Sequence, residues 1–270
     1  MTLMNNAIHG DMISTKIWQE ETTAESPFVA QRSLCAGYDV YNQVLGNASW
    51  AEFLYLLFKQ ARPTAKQATM LNDLAVGLAN AGPRDFAVRS AINASIAGGT
   101  AASALMAALA TGAGSLNGGH AVVLMSQLIK QCGSDLAAWQ LAFSTAQFYQ
   151  NKDWPAAPQP PGFDAMSTST SEPVLKMLTH FSALDETAYC AWWRENIATL
   201  ESYAGWPLGM HGVAAIVLSA LDFTARQAEY LWLLMRLPGA AAHAEEQYMQ
   251  WGQTQVFTDC IEFKRPLINA

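Results

Sequence analysis

Three side chains sit in glycine-marked turns where they could do chemistry: Asn117 in Gly114-Ser-Leu-Asn-Gly-Gly119, Asp164 in Pro161-Gly-Phe-Asp164, and His211 in Pro207-Leu-Gly-Met-His-Gly212. A neutral imidazole has an ordinary pKa of about 6.5 and can act as a general base. An asparagine amide can donate an N–H to a developing oxyanion. Each also has a plainer reading. Asn117 suits a loop position of positive φ beside Gly118, His211 can be a core histidine bonded to a backbone carbonyl, and Asp164 can be an ordinary loop carboxylate. His120 follows the Gly118-Gly119 pair and could face the same cleft. His243 lies seven residues beyond Arg236, two helical turns along nearly the same face. It is read equally as a ligand contact or as packing between subunits.

The elements that must position these groups are helical. From Arg89 to Lys130 no charged side chain intervenes, and the stretch is rich in Ala, Gly and Ser. A membrane span wants about 20 strongly apolar residues. Here Gly98, Gly99, Thr100, Ser103, Thr111, Gly112 and Gly114 dilute every such window, and no basic cluster flanks it. The stretch predicts a pair of buried helices whose small side chains let backbones approach. Its break, Gly112 to Gly119, places polar backbone within the core, which points to a ligand site. A second charge-free run, Ser202 to Leu221, carries the single histidine His211. Ser49-x-x-Glu52, Thr64-x-x-Gln67 and Thr224-x-x-Gln227 predict capping boxes ahead of apolar runs. In the second run Met70, Leu71, Leu74, Val76 and Leu78 predict one buried face. No long stretch alternates at period two, so strands are at most short, and the expected class is all-α.

The bulk numbers set bounds. With 51% hydrophobic and 14% charged side chains over 270 residues, the buried fraction is high, and another subunit is expected to cover part of the surface. A net charge of −7 leaves no basic patch for phosphates, so nucleic acid is not an expected partner. The first residues lack a basic region followed by an apolar run, so no secretory signal is expected, and the protein is placed in the cytoplasm without membrane attachment. Cys35, Cys132, Cys190 and Cys260 are isolated and read as reduced, buried thiols. Glu20-Glu21 and Glu245-Glu246 lack the spacing context of a metal site, so no metal and no bound cofactor are expected. Trp192, Trp193 and Trp232 read as core or interface packing. From Asn151 to Pro173 five of the eleven prolines mark a loop or lobe boundary.

Taken in order, the three turns and the helical run Arg236-Leu-Pro-Gly-Ala-Ala-Ala-His-Ala-Glu-Glu246 resemble the citrate synthase superfamily. The length is similar to that of its short members, the citryl-CoA lyases and the citrate-synthase-like domain of ATP-citrate lyase. Gly37-Tyr-Asp-Val…Glu52-Phe-Leu-Tyr-Leu-Leu-Phe…Arg62-Pro-Thr64 looks like that family's GY-D-…-YLL-x-G-x-x-PT segment. The resemblance runs from about Gly37 to about Glu246. It implies a citrate-synthase-like helical fold with a large lobe over residues 1–150. A Pro-rich loop and small-lobe helices would follow over 151–201, and helices returning to the large-lobe interface with a tail over 202–270. It also implies a homodimer or higher homo-oligomer.

The departures bear on the chemistry. Asn117 stands where the family's G-P-L-H-G-G turn has the histidine that stabilises the enolate. Counting back from Glu172-Pro173, Ala165 stands where P-G-F-G-H has the histidine that polarises the acceptor carbonyl. His211 stands where P-L-N-V-D-G has the aspartate base, and Ala79-Asn-Ala-Gly82 replaces A-D-H-G. Arg236 is retained, and the resemblance implies that it grips a substrate carboxylate, bidentately as a planar guanidinium can. Satisfying helix-end carbonyls is the other reading of Arg236. Arg265 weakly echoes an arginine that family members send to a neighbouring subunit. Two functions stay open. One is a C–C bond lyase or synthase acting on a CoA thioester and a carboxylate, with His211 and Asn117 as a remodelled catalytic set and Arg236, Gly118, Gly119, Asp164, His120 and His243 around the substrates. The other is a catalytically silent member that binds a metabolite or serves as a subunit of an active homologue. No phosphate-binding motif marks a coenzyme A site.

Overall fold

All three capping boxes form. Ser49, Thr64 and Thr224 each accept from the backbone N–H three residues on, and Glu52, Gln67 and Gln227 accept in return from the cap N–H groups. They open helices α1 (Trp50–Lys59), α2 (Ala65–Leu78) and, much later, α10 (Ala225–Met249). The computed structural model describes residues 15–145 and 159–250. Cys260 and Arg265 lie outside the described residues, as does the first part of the proline-rich run. The described chain divides into two compact units, with the division inside α2 between Thr69 and Met70.

The first unit holds what the sequence pattern does not show. Strands β1 (Gln19–Thr22), β2 (Ala30–Cys35) and β3 (Tyr38–Asp39) form a small antiparallel sheet in the order β1-β2-β3. Arg32 on β2 bridges Glu21 on β1 at 3.0 Å and Asp39 on β3 at 3.1 Å. Asp39 then accepts from the backbone N–H groups of Tyr41 and Asn42, capping a π-helical turn over Val40–Val44. These contacts hold its carboxyl down at about 2, the Asn42 side chain and backbone first among them.

The second unit is helical: the rest of α2, then α3 (Phe86–Ile96), α4 (Ala101–Gly112), α5 (Gly119–Cys132), α6 (Leu136–Thr145), α7 (Glu172–Leu184), α8 (Tyr189–Ala204) and α9 (Met210–Ala220), closed by α10. The charge-free stretch after Arg89 is thus not a pair of buried helices but parts of three. Ala87, Val88 and Ala91 of α3 meet Ala104 and Ala108 of α4 and Ala240 and Ala244 of α10 in one small-residue core. The remaining faces of α4 are open, with Met106 61% exposed. Val76 also breaks its expected pattern: the buried face of α2 runs through Met70, Leu71, Leu74 and Leu78, and Val76 projects outward, off the 3.6-residue stripe. The helix buried on every side is α9, where eight successive residues from His211 to Leu218 are inaccessible. A helix apolar all round belongs at the centre of a domain, and α9 occupies that place. Among the described residues no helix is long and apolar enough to cross a membrane. Cys35, Cys132 and Cys190 are free thiols, and all are buried.

Two turns 40-odd residues apart are zipped together ahead of α9. Phe163 and Leu208 form an antiparallel bridge, with Asp164 N–H on the Pro207 carbonyl at 2.8 Å and Gly209 N–H on the Gly162 carbonyl at 2.9 Å. The approach requires glycine on both sides. Gly162 has φ +90° with Met125 against it, and a Cβ on Gly212 would fall on the Gly162 carbonyl. Gly212→Ala is therefore expected to destabilise by roughly 1–3 kcal/mol, as overpacking against backbone does. The helical Gly77→Ala, whose Cβ would meet only the flexible end of Met177, is expected to cost less or nothing. Denaturant melts of the two variants check this, and equal losses would contradict it.

Candidate functional site

The zipped turns place His211 at the start of α9, 2% exposed, beside Asp164 and below a cavity of about 450 Å³. Its ring shares a hydrogen bond with the Phe163 backbone, while Nε2 has no partner among the described residues. Burial pushes the imidazole pKa down to about 4; Asp164 and the Phe163 bond oppose the shift, and the Arg236 charge adds to it. At neutral pH the ring is uncharged and carries a free lone pair, which is the state a base needs.

Asn117 lines the same cavity from the turn between α4 and α5. Its backbone has φ +55°, the left-handed conformation that asparagine tolerates. Its amide donates to Asp164 Oδ1 at 3.2 Å, and its carbonyl accepts from Gln159 Nε2 at 2.9 Å. Gln159 also donates to the Phe163 carbonyl. The side chain is thus fixed in orientation, with one amide hydrogen left over. Asp164 also accepts from the Met166 N–H at 2.9 Å and the Ser167 hydroxyl at 2.8 Å. Burial works against its charge, but these three donors and the nearby His211 outweigh it and hold the carboxyl below its ordinary range.

Arg236 reaches the cavity from α10. Pro238 has no N–H to give the helix ladder, and the N–H of Gly239 turns outward to the Ala79 carbonyl at 2.7 Å. A Cβ at Gly239 would collide with that same carbonyl. This docks the Ala79–Gly82 segment onto α10, and His243 Nε2 meets Asn80 Oδ1 at 3.1 Å. Arg236 lies over the Trp232 ring, 4.4 Å from its centroid, and is ion-paired with Asp85. Asp85 caps α3 through the Ala87 and Val88 N–H groups at 3.0 and 3.1 Å.

Four of the expected site residues, Asn117, Asp164, His211 and Arg236, therefore line one cavity, and four do not. Gly118 caps α5 and Gly119 opens it; both are buried, and they support the Asn117 turn rather than wall the cavity. His120 is turned out to solvent on the first turn of α5. His243 stands behind Asn80, which does line the cavity. Sequence reasoning missed Arg84, Asp85 and Trp232 in the lining. Asp85 had a readable signal, an acid just before an apolar helical run, which is an N-cap pattern.

Solved structures share this arrangement of helices. Citryl-CoA lyase from Hydrogenobacter thermophilus superposes with a TM-score of 0.68 at 17% identity, covering 94% of this chain and 98% of that one. ATP citrate lyase from Methanothrix soehngenii, in complex with citrate and coenzyme A, gives 0.71 at 17% identity over 95% of this chain. The fold is that of citrate synthase. Citrate synthase from Thermoplasma acidophilum, in a ternary complex with carboxymethyl coenzyme A and oxaloacetate, gives 0.59 at 20% identity, covering 82% of this chain and 59% of that one. This citrate-synthase-type chain spans 42% of the ATP citrate lyase chain. No protein-family model matches the sequence, and no curated protein matches it significantly.

A buried neutral histidine leaves a signature in stability. The folded pKa of about 4 lies below the ordinary 6.5, so between those values the unfolded chain binds a proton that the folded chain refuses. His211 is thus expected to withdraw about 3 kcal/mol of stability as pH falls from 6.5 to 4. Denaturant melts at several pH values should show that loss shrink in His211→Gln. An unchanged pH slope would contradict a neutral, buried His211.

Proposed function

We propose that the protein makes or breaks a C–C bond between a CoA thioester and a carboxylate partner, as a lyase or synthase with a remodelled catalytic set. The observation that carries this reading is the uncharged His211, its Nε2 unpartnered, in the same cavity wall as Asn117 and Arg236. In the synthetic direction Nε2 takes a proton from the thioester methyl group, and the electron pair moves onto the thioester oxygen. The spare amide hydrogen of Asn117 faces that oxygen, and the carbanion equivalent adds to the partner's carbonyl carbon, whose π pair moves onto its oxygen; that oxygen then takes the proton held on Nε2. The lyase direction runs the same steps backwards. Arg236 balances the charge of Asp85 in the cavity, so removing it leaves an unpaired carboxylate facing the partner's own. Removing the base is worth about 10²–10⁴ in rate in such sites. The reading includes a homodimer or larger homo-oligomer in the cytoplasm, with the open faces of α4 against a second copy. It also includes a lobe division near residue 150.

Two observations favour a second reading, a silent subunit of an active homologue or a metabolite-binding member. Arg236 already holds a carboxylate within the chain, and Asn117 is bonded at both ends. Titration calorimetry separates the two. Acetyl-CoA, free CoA, citrate, oxaloacetate and pyruvate are titrated, alone and in pairs, into wild type and Arg236→Ala. The enzyme reading expects a thioester to bind, and a carboxylate beside it to bind at least ~10-fold more weakly in the variant. Absence of all binding would overturn it and send the search to a partner chain.

A further inference from the structure

The charges around the cavity belong to four side chains, and they cancel. Arg84 and Arg236 are cationic, Asp85 and Asp164 anionic, and the remaining titratable group of the wall, His211, is uncharged at neutral pH. The four are not equivalent. Asp85 is fixed twice, by the helix cap it makes to α3 and by Arg236, so it cannot swing away without uncapping the helix. An N-cap of this kind is worth about 1 kcal/mol. The Arg236 guanidinium, only 14% exposed and seated on Trp232, thus faces the cavity with its charge already offset by a resident carboxylate. Arg84 is different. Its side chain is exposed at the cavity wall, and no described acidic side chain lies within ion-pair distance. Asp164, also in the lining, stays ionised, held by Met166, Ser167 and Asn117.

A ligand with two or three carboxylates needs a matching number of uncommitted cations. This cavity offers one, and a second carboxylate would find no unpaired cation and would meet the field of Asp164. Like charges brought together out of bulk water are strongly disfavoured. We infer that the carboxylate partner of this site is a monocarboxylate, anchored by Arg84, and that Asp85 sets this preference by filling Arg236 as a built-in carboxylate. The inference rests on the reading of the cavity as a thioester–carboxylate site, and it narrows that reading to a class of partner. A 2-oxo monocarboxylate has both the single charge and the carbonyl that the proposed step requires. Asp85 is here a specificity determinant, and Arg84 a binding residue.

The test is calorimetry at one fixed ionic strength, with acetyl-CoA present, comparing pyruvate with oxaloacetate. Wild type is expected to bind pyruvate at least ~10-fold tighter than oxaloacetate, and Arg84→Ala to lose at least ~10-fold of the pyruvate affinity. Asp85→Ser keeps an oxygen for the α3 cap while removing the charge. It is expected to shift the preference at least ~10-fold towards oxaloacetate, and Asp85→Asn repeats the test should the serine variant fold poorly. If acetyl-CoA binds and wild type prefers oxaloacetate, or if the Asp85 variants leave the ratio unchanged, the inference falls while the thioester reading stands. If pyruvate is preferred but no thioester binds, the cavity's preference for a monocarboxylate stands, while the thioester reading and the partner's role in it fall. If neither carboxylate binds under any condition, the inference is wrong.

Discussion

The site depends on one enforced burial, the imidazole of His211 at the first turn of a helix that has no exposed face. Charge cannot be accommodated cheaply there, so the ring is neutral, and its Nε2 is buried without a partner among the described residues where the ring lines the cavity. The zipper between the Gly162 and Gly209 turns imposes that burial. It brings backbone so close that a side chain is excluded at Gly212, while the φ of +90° at Gly162 requires glycine there. The same zipper sets Asp164 beside the ring, and Asp164 in turn orients Asn117. Three turns far apart in sequence thus form one hydrogen-bonded assembly, and α10 brings Arg236 to the same cavity.

The polarity of the cavity is set in part by α10. Pro238 frees the Gly239 N–H to hold the backbone at Ala79, and this fixes the approach of the segment that carries Arg84 and Asp85. The proline is therefore a docking device as well as a gap in the helix ladder. Just beyond Gly82, Arg84 and Asp85 supply charge to the lining of the cavity.

Much of this was legible in the sequence, for physical reasons. The capping boxes are local, with partners three residues apart, and all three form. The shared order of the glycine turns and of the Arg236 run was enough to expect the helical fold, because glycine at a close approach is a backbone requirement that survives change of the neighbouring side chains. The sheet escaped because its strands, of four, six and two residues, are too short to show alternation. The Asp85–Arg236 pair escaped because its partners are 151 positions apart, and nothing local in either neighbourhood announces the other. His120 was misleading for the opposite reason. It is adjacent to the turn in sequence, but the first turn of α5 rotates it to solvent. The charge-free stretch after Arg89 drew attention that belonged to α9, since lack of charge marks close packing on α3 and α10 without requiring burial on every face.

The central claim is that His211 is a base toward a thioester methyl group. Its most direct test is exchange of the acetyl methyl protons of acetyl-CoA in deuterium oxide, followed by proton NMR with a carboxylate partner present. The account predicts protein-dependent loss of the methyl signal with wild type, slowed by about 10²-fold or more in His211→Ala. Exchange at the same rate in both proteins, or none with wild type while acetyl-CoA is bound, would contradict it.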